Sequence, residues 1–118
     1  MLPRIAQTQK VYEIAYVDNI KSLDVLKTAS TSLTSVFISQ CANLNNCNLT
    51  VFHTTNFLSL SSLTIQFSNL KTVKFSAQRS LKFLSLKGND LASLSGLSQL
   101  KLSTLDISMN NIADLSQL

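Results

Sequence analysis

Charge is scarce in this chain. Only 14% of its 118 residues are Asp, Glu, Lys or Arg, against the roughly 25% of an ordinary soluble domain. Solvent-facing positions must therefore be filled by Ser, Thr and Asn. Glycine and proline are rarer still, with two and one. That excludes a disordered linker, which is rich in both. Gly88 and Gly96 also stand too far apart to form a phosphate-cradling loop. No run of 18 apolar residues occurs, so no membrane span is expected. The opening MLPRIAQTQKVYEIAYVDN lacks the apolar stretch of an export signal. The expected location is cytoplasmic, with Cys41 and Cys47 as free thiols. Asn48-Leu49-Thr50 would be a glycosylation acceptor only in a secreted protein.

The chemistry-bearing residues are equally sparse. His53 is the only histidine, and the acids are Glu13, Asp18, Asp24, Asp90, Asp106 and Asp114. Their spacing suggests no paired carboxylates. Cys41, Cys47 and His53 follow one another at intervals of six, wider than the usual zinc pairing, and a fourth ligand is missing. Nothing marks Cys41 as a low-pKa nucleophile. A small buried side chain is the expectation there. No catalytic residue, cofactor or metal is therefore expected, and the chain is read as not an enzyme.

What the sequence has instead is repetition. Leu81-x-x-Leu84-x-Leu86-x-x-Asn89-x-Leu91-x-x-Leu94 is followed 21 residues later by Leu102-x-x-Leu105-x-Ile107-x-x-Asn110-x-Ile112-x-x-Leu115. A step back of 21 gives Leu60, Leu63, Ile65, Ser68, Leu70 and Val73, with Ser68 in place of Asn. An earlier copy reads Leu33, Val36, Ile38, Cys41, and a first copy Val11, Ile14, Tyr16, Asn19. The intervals are then 22, 27, 21 and 21, and the register over 42–59 is left open. A unit this short cannot bury its own apolar face and must stack on copies of itself. Alternating apolar positions suit a short strand, one per unit and paired in parallel. At the sharp turn that follows, a buried Asn amide can serve backbone groups left unpaired. Cys41 and Ser68 have less capacity there, so the front half should be less regular.

The LxxLxLxxN pattern and its period resemble a leucine-rich repeat, of the short type found in phosphatase regulators and internalins. The resemblance implies an α/β repeat solenoid: a curved horseshoe segment with a parallel β-sheet on its concave face. The convex side should mix strand (70–80), 3₁₀ turn (91–100) and short helix (20–27). One domain of 1–118 is expected, divided near 11–32, 33–59, 60–80, 81–101 and an incomplete 102–118. The last unit shows no polar cap, so either further repeats follow or this open C-terminal end meets another subunit.

On the concave face the outward positions are Glu13, Ala15, Val17; Ser35, Phe37, Ser39; Ser62, Thr64, Gln66; Phe83, Ser85, Lys87; and Thr104, Asp106, Ser108. Among them Phe37, Gln66, Phe83, Ser85, Lys87, Thr104 and Asp106 are the candidate partner-binding residues, with Phe37 and Phe83 as anchors. Lys71, Lys74, Arg79, Lys82, Lys87 and Lys101 face one acid, Asp90, over 71–101, so an acidic protein partner is favoured. Nucleic acid is disfavoured because no aromatic stacking platform is interleaved with the basic residues. The function expected is non-catalytic protein–protein recognition. Its rivals are a structural subunit of a large assembly, and the repeat region of a longer enzyme.

Overall fold

The computed structural model describes residues 5–17, 24–29, 31–41, 59–71, 80–92 and 100–113. Each repeat contributes one strand: β1 (Val11–Ala15), β2 (Ser35–Ser39), β3 (Ser62–Gln66), β4 (Phe83–Ser85) and β5 (Thr104–Asp106). They form one open sheet in chain order, every neighbouring pair parallel. The expected second strand at Val73 and Phe75, and the convex turn at Leu94 and Leu97, lie outside the described residues. Leu26 and Ala29 are fully buried on a 3₁₀ helix, Asp24–Ala29, close to the short helix expected over 20–27.

Alternation puts one side chain in two into the core. Tyr12, Val36, Leu63, Leu84 and Leu105 line up across the five strands, and Ile14, Ile38 and Ile65 form a second row. Leu33, Leu60 and Leu81 enter the core just before their strands, and Leu70 and Leu91 just after. At the strand starts, the carbonyls of Lys10, Thr34, Ser61 and Lys82 each accept two backbone N–H groups from the next unit. The repeats are thus tied together at both ends of the strands.

Leu84 and Leu86 are fully buried, as expected. Leu86→Ala should cost roughly 2–5 kcal/mol through lost transfer energy and the cavity left behind. A denaturant titration that finds no loss would reverse the strand faces. Leu105 and Ile107 were expected to be as deeply buried, but both are only partly so. They belong to the last repeat, whose strand pairs, among the described residues, with β4 alone. Leu105→Ala should accordingly cost less than Leu86→Ala.

The first repeat departs from the expected register. Val11 pairs with Ser35, 24 residues on, rather than aligning with Leu33 at 22. Tyr12 and Ile14 therefore point inward, and Tyr16, expected inside, is 74% exposed. The outward set of this strand is Val11, Glu13 and Ala15. Val17 becomes the counterpart of Cys41, a place expected for Asn19, which lies outside the described residues. Steric alternation decides this: a shift of two keeps each residue's face but changes which pair of apolar residues is enclosed.

Tyr12 brings a polar atom into the core. Its hydroxyl is buried and has no hydrogen-bond partner among the described residues. Burial, and secondarily Cys41, pushes its pKa above the ordinary tyrosine value. An unpaired buried hydroxyl costs stability, so Tyr12→Phe should be neutral or stabilising by about 1 kcal/mol. Thermal unfolding checks this; a clear loss would reveal a partner for the phenol.

Candidate functional site

The face of the sheet turned away from the core, its open face, is assembled from three rows of side chains. Along the strand starts run Val11, Ser35, Ser62, Phe83 and Thr104. The middle row is Glu13, Phe37, Thr64, Ser85 and Asp106. The third begins Ala15, Ser39, Gln66 and continues in sequence parity with Lys87 and Ser108. Parallel pairing at these registers thus gathers the candidate residues on one surface.

Phe37 and Phe83 are each 37% exposed, a large apolar area for an open sheet face. Phe37 lies beside Thr64 on β3, and Phe83 beside Ser62 on the same strand. The two rings thus stand on either side of β3, whose outward residues beside them, Ser62 and Thr64, are short. Gln66 is half-buried and donates from Nε2 to Ser39 Oγ (3.4 Å), while Ser39 Oγ donates to Gln40 Oε1. Thr104 is exposed. Ser85 does not present itself as expected: the residue is 5% exposed. A short side chain on an interior strand is overshadowed by longer neighbours, and it can serve only as part of a floor. Thr64, absent from the candidate set, shares that floor at 7% exposure. Its signal was its small size next to Phe37 across the strand pair.

The charges lie differently from the sequence pattern. Of the basic residues described over 71–101, Lys71, Lys82 and Lys101 fall before or after the strands, and Lys87 alone belongs to the open-face rows. Lys74 and Arg79 are outside the described residues. Asp106 Oδ1 accepts from Ser108 N (3.0 Å) and Ser108 Oγ (2.6 Å). These bonds, and then the charge of Lys87, hold its carboxyl below the usual range. Lys87 thus lies near enough to Asp106 for its charge to be felt there, while Glu13 on β1 is exposed.

Beneath this surface, the turns that end the strands are held by a side-chain ladder. Asn89 Oδ1 accepts from Ser68 N (3.0 Å) and Leu70 N (3.2 Å) of the preceding unit. Its Nδ2 donates to Ile65 O (2.7 Å), Leu86 O (2.8 Å) and, at 3.5 Å, Lys87 O. Asn110 repeats the pattern one level on, accepting from Leu91 N (3.0 Å) and donating to Leu86 O (2.9 Å), Ile107 O (3.1 Å) and Ser108 O (3.2 Å). Ser68 accepts from Cys41 N (3.2 Å) and donates to Gln66 O (2.9 Å). The Cys41 thiol donates only to Ser39 O (3.5 Å) among the described residues, and it is fully buried.

Just before each ladder position stands a residue of positive φ: Tyr16, Gln40, Phe67, Gly88 and Met109. The sequence pattern did not reveal this column, because only one of the five is glycine. Tyr16 and Met109 are well exposed and extend the surface past the strand ends.

Among the described residues, no three His, Cys, Asp or Glu side chains converge to hold a metal. His53 and Cys47 lie outside them. No helix among these residues is long and apolar enough to cross a membrane. The chain matches no protein-family model, no curated protein and no solved structure.

Proposed function

We propose that this chain is a leucine-rich-repeat solenoid segment whose open sheet face is concave and recognises a protein partner without chemistry of its own. The observation that carries the reading is the pair Phe37 and Phe83, partly exposed and flanked on β3 by the short polar side chains of Ser62 and Thr64. Large aromatics held on a rigid sheet lose little entropy on binding and are favoured interface anchors. The Asn ladder and the one-strand-per-unit sheet support the repeat architecture.

Phe83→Ala should weaken partner capture by about 2 kcal/mol or more without loss of fold, since the ring points away from the core. Lys71→Ala, exposed but off the face, should leave capture intact. Affinity capture with tagged parent and both variants, each checked by thermal unfolding, tests the reading. Equal capture by parent and Phe83→Ala would remove the open face as the binding surface.

A further inference from the structure

The floor between the two phenylalanines carries a demand that its own protein does not meet. Thr64 and Ser85 are register partners and both are buried. Neither hydroxyl, nor that of the adjacent Ser62, bonds another described residue. Their oxygens are not sealed off, since Tyr12 is the one described residue with a buried polar side-chain atom that is both inaccessible and unpartnered. The hydroxyls of Ser62 and Thr64 on β3 and of Ser85 on β4 thus open onto one narrow band of the face. Its walls are Phe37 on β2 and Phe83 on β4, with their strands roughly 10 Å apart.

The chemistry of this band selects its occupant. A helix laid across it would bring only side chains, because its backbone N–H and C=O groups are bonded internally. An extended segment leaves backbone donors and acceptors free at every second residue, with side chains alternating to either side. Those free groups suit the hydroxyls, and apolar side chains on either side of them suit the rings. Charge adds a direction. Glu13 is the register partner of Phe37, exposed and without an ion-pair partner among the described residues. Asp106, at the far end of the same row, already accepts from Ser108 N and Oγ and has the Lys87 charge nearby. Lys10 and Lys82 lie outside the row, at the strand starts. The uncompensated charge of the middle row is therefore negative and sits at the Phe37 end.

Resting on the recognition reading above, we infer that the partner element is an extended basic–apolar polypeptide segment: its backbone bonds the hydroxyls of Ser62, Thr64 and Ser85, its apolar side chains meet Phe37 and Phe83, and its cation meets Glu13. This inference departs from the acidic partner favoured by the sequence, since Lys71, Lys82 and Lys101 lie off this face.

The test selects seven-residue random peptides displayed on phage against the whole 118-residue protein. Enriched sequences are then synthesised with a fluorescein label for anisotropy titration. Enriched peptides should carry Lys or Arg toward one end, with apolar residues at alternate positions. Thr64→Val combined with Ser85→Ala keeps the side-chain sizes and should weaken their binding at least tenfold with Tm unchanged. Glu13→Gln should weaken it several-fold, more at low salt. Acidic or helix-patterned winners, no enrichment at all, or binding indifferent to the hydroxyl and Glu13 variants would overturn the inference. Binding of a carbohydrate array in preference to peptides would also overturn it. If the selected peptides bind equally to Phe37→Ala and Phe83→Ala proteins, the recognition reading itself fails. Sensitivity to the phenylalanines but not to the hydroxyls or Glu13 would sink this inference alone.

Discussion

Asn89→Leu should cost the fold roughly 3–4 kcal/mol, the largest loss of any single polar substitution in the described chain. Leucine nearly matches asparagine in size, so no large cavity is made. What is lost is the pairing of two N–H groups, Ser68 and Leu70, and of the Ile65 carbonyl, all drawn from the preceding repeat. Each buried backbone group left without a partner costs about 1–3 kcal/mol. Leu86 O retains one donor, because Asn110 Nδ2 also reaches it. Asn110→Leu should be milder, about 1–2 kcal/mol, since Asn110 is half-exposed and water can replace part of what it supplies. Ser68→Ala removes two bonds and should fall at or below that value. Urea unfolding of the three variants gives the ranking. If Asn89→Leu proves neutral, the amide is not what fastens one turn to the next.

Gly88→Ala is the second large effect, with an expected loss of roughly 2–5 kcal/mol. Two terms combine. The backbone there has φ +72°, where a Cβ costs about 1–2 kcal/mol. The new Cβ would also lie 2.3 Å from Cδ1 and Cε1 of the Phe67 ring, and overpacking of this kind costs about 1–3 kcal/mol. The other four residues of that column keep positive φ with side chains in place. Backbone strain alone is therefore tolerated by this fold, and the ring contact makes position 88 special. Phe67→Ala should relieve the clash. In a double-mutant cycle, the combined variant should be more stable than the sum of the two losses predicts, by about 1–2 kcal/mol. Strict additivity would show that Phe67 does not cover Gly88.

These two positions mark what could and could not be read from the sequence. Asn89 and Asn110 were legible because a polar residue recurring at a fixed place among leucines has few roles besides turn pairing. The strand positions and faces of β2 to β5 were legible from alternation. Gly88 was not, since the conformation that requires it is shared by Tyr16, Gln40, Phe67 and Met109, none of which signals a left-handed backbone. The first repeat was misplaced by two residues because Tyr12 and Tyr16 are equally plausible core residues by type. Only strand pairing distinguishes them. At the open face, Phe37 and Phe83 followed from alternation, whereas the burial of Ser85 depends on the height of side chains on neighbouring strands. The placement of the basic residues was not legible for a related reason. Closeness in sequence put six cations in one tally, but the topology leaves only Lys87 of those described on the face.

Site-specific photo-crosslinking tests the central claim, that the open sheet face is where this protein meets its partner. A benzophenone side chain placed at Ser62, between Phe37 and Phe83, should form a covalent adduct with the captured partner. The same group at Lys71 should not. Adducts from Lys71 alone, or from the exposed Ala113 after β5 with none from Ser62, would contradict the account.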